Sequence, residues 1–139
     1  MERIPDEYHD LFEKPSIATF ASFLPSGHPQ VVPVWVDYEE PHLVVVTRTD
    51  TRKYENVQHD PRVTITIIDP EDNYRYVEAR GEVDEITQEG ALAFSDRQAK
   101  RYWGVDEYPF ERDTERALLY VRPERVVARN VGSPNRQQN

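Results

Sequence analysis

A chain of 139 residues is long enough for one hydrophobic core and too short for two. It has no cysteine, which excludes disulfides, thiolate-held metals and thiol catalysis, and its formal charge of −9 argues against nucleic-acid backbones as partners. No apolar run approaches the ~20 residues that span a bilayer, and the N-terminal stretch Met1-Glu2-Arg3-Ile4-Pro5 has no signal-peptide core, so a cytoplasmic protein that engages no membrane is expected.

In chain order, Asp6–Phe12 reads as a short amphipathic helix, with Tyr8, Leu11 and Phe12 on one side and Pro15 behind it. Residues 16–24 and 30–37 flank the turn sequence Pro25-Ser26-Gly27-His28-Pro29 and read as a β-hairpin. Pro33 has no N–H for a ladder, which predicts an edge or a bulge there and a re-aimed Trp35. After a turn at Glu39-Glu40-Pro41, residues 42–47 form a third strand, and short connections suggest an antiparallel meander of all three.

A helix is expected over residues 51–59, ended by Asp60-Pro61. Residues 63–67 alternate cleanly as a strand. Residues 74–86 form a longer one, with Val77, Ala79, Gly81 and Val83 on one face and Glu78, Arg80, Glu82 and Asp84 on the other. A second helix is placed from Thr87-Gln88-Glu89-Gly90 to about Tyr102, followed by an aromatic-rich irregular stretch over 103–116. A last strand over 117–128 is interrupted at Pro123. The expected architecture is mainly β: a single domain over residues 1–131, about six strands with interspersed helices in a closed or partly closed antiparallel barrel, and a polar, disordered tail over 132–139.

The stretch Val44-Val45-Val46-Thr47-Arg48-Thr49-Asp50-Thr51-Arg52-Lys53-Tyr54-Glu55-Asn56-Val57 carries the most chemistry. A β-branched run ends in hydroxyls and cations at a helix start, where unpaired N–H groups favour an anion. Arg52, Lys53 and Asn56 are spaced to share a helical face. A local basic site in an acidic protein points to a small anionic ligand; a solvated helix start with two surface cations is the plainer reading. The glycines of a Walker or dinucleotide loop are missing. His9, His28, His42 and His59 have no metal-ligand spacing, and no serine sits in a nucleophile elbow, so neither a metal site nor side-chain hydrolysis is supported. Trp35, Tyr54, Tyr102, Trp103, Tyr108 and Phe110 supply flat apolar surface for a core, a dimer contact or a planar heterocycle. Lys14, Lys53 and Lys100 are the only lysines, and an acidic, lysine-poor surface suits a halophilic cytoplasm, although a GC-rich genome gives the same bias.

These residues together resemble the pyridoxamine-5'-phosphate-oxidase-like split β-barrels that bind flavin or deazaflavin. The likeness spans roughly residues 8–130. It rests on Pro33-Val34-Trp35-Val36, a strand ending in Thr47, Arg52-Lys53-x-x-Asn56-Val57, Asp60-Pro61-Arg62-Val63 and Tyr76-Val77-x-x-x-Gly81-x-Val83. The resemblance implies the FMN-binding split-barrel fold and a homodimer with a cofactor at each subunit junction. It further implies an oxidoreductase in which coenzyme F-420, an 8-hydroxy-5-deazaflavin, passes a hydride to a small unsaturated or quinone-like substrate. FMN is the alternative cofactor, and a non-catalytic flavin-binding module the alternative role. By position, Thr47, Arg52, Lys53 and Asn56 hold the cofactor phosphate, Pro33, Val34, Trp35 and Val46 lie against the ring, and Tyr102 or Trp103 of a second chain closes the pocket. Arg48, as an extra cation beside the site, favours the anionic tail of F-420 over FMN.

Overall fold

The computed structural model describes residues 1–131; the tail expected over 132–139 lies outside the described residues. Seven strands form one antiparallel sheet: β1 Ala18–Phe23, β2 Pro29–Val34, β3 Asp37–Glu39, β4 His42–Arg48, β5 Arg62–Asp69, β6 Asp72–Thr87 and β7 Arg116–Asn130. Two helices, α1 Arg52–His59 and α2 Ala91–Trp103, lie between them, and Asp6–Phe12 winds as a 3-10 helix.

The sheet order is β2-β1-β5-β6-β7-β4-β3. The first three predicted strands therefore do not form a meander: β1–β2 and β3–β4 are separate hairpins at opposite ends of the sheet. Their inner strands pair with distant chain, β1 with β5 and β4 with β7. Pro33 does lie on an edge strand, opposite Thr19.

Although β1 and β4 stand far apart in the sheet, α1 packs against both, and the 3-10 helix bridges β3 and β5. The sheet thereby curls around one core built from Phe20, Leu43, Val45, Ile65, Ile67, Val77 and Leu119, all fully buried. This is the split antiparallel barrel expected from the sequence. β4 is buried on both faces, with Leu43 and Val45 turned into the barrel and Val44 packed outside it with Ala91, Phe94 and Leu118. That explains why its sequence is a continuous apolar run rather than an alternation.

The second helix starts later than predicted, because Thr87 still pairs with Leu118 in the sheet and Gly90 is left-handed at φ 76°. Gly104, also left-handed at φ 73°, stops α2 with its N–H on the Lys100 carbonyl. Pro123 does not break β7; instead the register with β6 slips past Glu124, so Arg80 faces Arg125 and Gly81 faces Pro123. Such a bulge absorbs the missing proline donor.

One ionic cluster ties the 3-10 helix to the β5–β6 turn. Arg75 donates to Asp69 Oδ2 at 2.8 Å and to Asp10 Oδ1 at 2.7 Å, while Lys14 stands 3.2 Å from Asp69. Arg75 is the main cause that lowers the Asp10 carboxyl to about 2. Burial opposes the charge on Asp69, but the Glu71 N–H, Arg75 and Lys14 outweigh it and its pKa is lowered as well. Carboxyls depressed in the fold stabilise it above the unfolded value, near 4, and release that stability as pH falls towards 2. Arg75→Met is expected to cost about 1–2 kcal/mol at neutral pH and to flatten the acid limb of denaturant midpoint against pH. An unchanged acid limb would show that the cluster does not govern it.

Candidate functional site

The strand-to-helix turn is fastened by its own threonines. Thr51 caps α1 by accepting from the Tyr54 N–H at 3.3 Å and donates its own proton to the Arg48 carbonyl at 2.9 Å. Thr47, 4% exposed, meets Thr51 Oγ1 at 2.9 Å. The hydroxyl protons are thus engaged within the turn, and what remains for a ligand is the cation beyond it.

That cation is Lys53. Consecutive helical residues point about 100° apart, and Arg52 and Lys53 diverge accordingly. Lys53 turns inward and lines a pocket of about 400 Å³, within the range of ligand sites. Burial pushes its ammonium below the ordinary lysine range. Among the described residues no hydrogen bond or ion pair engages it. Arg52 turns outward, exposed, with Glu55 Oε2 at 3.5 Å. Asn56 is buried away from the pocket, and its Nδ2 donates to Ser22 Oγ at 3.1 Å and Gln30 Oε1 at 3.0 Å. It fastens α1 to the β1–β2 hairpin.

Of the residues singled out from sequence, Pro33, Val34, Trp35, Val46, Thr47 and Lys53 meet around this pocket, and Arg52 and Asn56 do not. Trp35 lies just past the edge strand and stacks on Tyr102 at 4.5 Å and 9°, with Trp103 edge-on at 4.6 Å. The aromatic partners of Trp35 therefore come from its own chain. Tyr102 is held by its hydroxyl, which donates to the Ser16 carbonyl at 2.5 Å. Trp103 continues into Tyr108 and Phe110, and exposed Ile17, Trp103 and Phe110 give that side an apolar surface.

Arg48 also lines the pocket but is not a free cation. Asp50 takes it through two hydrogen bonds, at 3.0 and 2.6 Å, and Glu111 pairs with its remaining terminal nitrogen. It gives no preference for an anionic tail. Arg116, opposite Arg48 across the β4–β7 ladder, is 8% exposed and donates to the Glu111 carbonyl at 2.9 Å, pinning the loop that carries Tyr108 and Phe110.

Sequence reasoning missed Arg116 and two residues of α2, Ser95 and Gln98, that also line the pocket. Ser95 donates to the Ala91 carbonyl at 3.1 Å. Gln98 is fully buried, and its Oε1 has no donor among the described residues. The helical spacing of Ala91, Phe94, Gln98 and Arg101 marks a buried face, and a glutamine on such a face is the signal that was available.

A half-buried unpaired ammonium, an orphan amide oxygen and a flat aromatic wall fit an anionic, planar, hydrogen-bonding molecule. Among the described residues no carboxylate or imidazole lines the cavity, so their lining offers binding and orientation more than acid–base chemistry.

The family model described as pyridoxamine 5'-phosphate oxidase matches residues 4–130. Among solved structures, the chain is similar to an F420 reductase, with 33% identity and a TM-score of 0.78, over 89% of this chain and 98% of that one. A conserved hypothetical protein from Mycobacterium tuberculosis is 21% identical, with a TM-score of 0.72 over 97% and 99% of the two chains. General stress protein 26 from Bacillus anthracis is 16% identical, with a TM-score of 0.66 over 86% and 88%. The last two likenesses establish the fold only. No curated protein matches the sequence.

Proposed function

The chain belongs to the pyridoxamine 5'-phosphate oxidase family, and from that premise we propose that its pocket binds coenzyme F-420 and that the protein reduces a small unsaturated or quinone-like substrate. The observation that carries this reading is Lys53, an inward-facing ammonium with no partner among the described residues, at one side of a cavity walled by Trp35. The 33% identity to an F420 reductase supports the deazaflavin over FMN.

A reduced deazaflavin held there would supply the hydride. Lys53 holds the anionic arm, since an ammonium in a partly dehydrated site interacts more strongly with phosphate than one in water. Trp35, with one face covered by Tyr102, offers its remaining surface to the ring, and Pro33, Val34 and Val46 keep that wall dry. With no carboxylate or imidazole among the described lining residues, solvent would supply the proton that completes the reduction of the substrate. The exposed apolar groups Ile17, Trp103 and Phe110 suit contact with a second copy, so we place the pocket at the junction of a homodimer.

FMN binding by the same cavity is the second reading, because the two cofactors share a ribityl phosphate arm. Purification from a host that makes both, followed by the absorbance spectrum and mass of the retained ligand, separates them. Retained F-420 is expected, with light scattering at twice the 16.3 kDa chain mass. Retained FMN selects the second reading. A monomer that binds with full affinity overturns the junction site, and a protein that takes up neither cofactor on titration overturns the function.

A further inference from the structure

The amide of Gln98 has a defined orientation. Its Nε2 donates to Asp37 Oδ1 at 3.2 Å, and the same carboxylate oxygen accepts from Arg101, whose terminal nitrogen also donates to the Val36 carbonyl at 3.1 Å. A carboxylate only accepts, so reversing the amide would set oxygen against oxygen. Oε1 is therefore fixed as the free end, and it is buried without a donor on a residue that lines the pocket. Lys53, Arg48 and Arg116 line the same cavity, and none of them turns to it.

Buried acceptors in folded proteins nearly always have a donor, from the protein, from water or from a ligand. The other groups around Gln98 narrow the choice. The Asp37–Arg101 pair anchors α2 to the segment just after Trp35, so the amide and the indole wall are held in one rigid unit. A flat ligand against Trp35 would bring its in-plane N–H or O–H groups to the walls of the cavity, where a fixed acceptor can take them.

We propose that Gln98 is a specificity-determining residue of this pocket, whose Oε1 accepts a hydrogen bond from a ring imide N–H of the bound heterocycle. The inference rests on the cofactor reading above, because a pyrimidinedione imide is the ring donor that FMN and F-420 have in common. It adds to that reading a residue outside the 44–57 stretch. It also implies discrimination by ring chemistry: a planar anion without an in-plane donor leaves Oε1 unsatisfied and is disfavoured.

The test compares FMN with N3-methyl FMN, and F-420 with its N3-methyl derivative, by fluorescence titration on the wild type, Gln98→Met and Gln98→Asn. Methylation is expected to weaken wild-type binding by about 10-fold or more. In Gln98→Met, which keeps the side-chain length and loses the acceptor, the ratio of methylated to unmethylated affinity is expected to rise close to one. The ratio is taken within each variant, so a general loss of affinity cancels. Gln98→Asn keeps the amide but shortens its reach, and serves if the methionine variant does not fold; it too is expected to lose most of the penalty. Equal binding of both forms by the wild type overturns the assignment, as does a methyl penalty that persists in the folded variants. A wild type that binds neither FMN nor F-420 overturns the cofactor reading itself, a result distinct from binding that ignores the methyl group.

Discussion

Gly81→Ala is expected to leave little folded protein. A Cβ at Gly81 would stand 2.0 Å from the Arg122 carbonyl oxygen, 2.9 Å from its carbon and 3.0 Å from Pro123 Cα, all backbone atoms. Neither strand can retreat easily, because β6 is flanked by β5 and β7 and its buried face carries Val77 and Ala79 into the core. The crowding occurs where the ladder slips past Glu124, so the glycine permits the bulge that accommodates Pro123. Backbone displacement in the sheet interior belongs with the severe substitutions, above about 4 kcal/mol, a large part of the 5–15 kcal/mol typical of a domain. Gly27→Ala is the control. Gly27 also has a positive φ, 87°, but nothing lies within 4 Å of its would-be Cβ, so a cost of about 1 kcal/mol is expected. Chemical denaturation of both variants settles the comparison, and a Gly81→Ala midpoint near that of Gly27→Ala would show that the bulge relaxes.

The local pattern of the sequence carried the elements but not their neighbours. Alternation marks β5 and β6, and apolar content with turn residues marks β1 and β2, because those signals depend on which face of a strand is buried. The partner of β4 is another matter. On its inner side it is β7, some seventy residues on, and pairing at that distance leaves no mark in the local pattern of either strand. Proximity in sequence therefore suggested a meander that the long-range pairing overrides. The site divides along the same line. Thr47 and Lys53 were legible because a strand end and a helix start are local events, and Trp35 because Pro33 marks the edge strand that ends just before it. Gln98 and Arg116 reach the pocket only through the docking of α2 and β7. Their own stretches of sequence say that they are buried or basic, not what they face.

Replacing Lys53 should separate binding from folding. Lys53→Ala is expected to weaken FMN and F-420 binding 10- to 100-fold, since it removes a charge-assisted hydrogen bond worth roughly 1.5–3 kcal/mol. Arg52→Ala is expected to change binding less than about threefold, because the side chain is exposed, paired with Glu55 and outside the cavity. The ligand-free proteins are expected to rank the other way. An ammonium held partly out of water with no carboxylate partner among the described residues costs the fold, so Lys53→Met should melt no lower than the wild type. The pH dependence gives the sign independently. Burial lowers the Lys53 pKa below 10.5, so the penalty is present in full at neutral pH and is relieved as pH rises through the lowered value towards the unfolded one. Wild-type stability should therefore gain, relative to Lys53→Met, over that alkaline window, while anion affinity falls over the same window as the charge is lost. Titrations of FMN and F-420 with melting curves of the ligand-free forms, each at neutral and alkaline pH, test both halves. If Lys53→Ala binds as the wild type does while Arg52→Ala does not, the outward-facing guanidinium is the anion contact, and the pocket assigned to Lys53 is the wrong one.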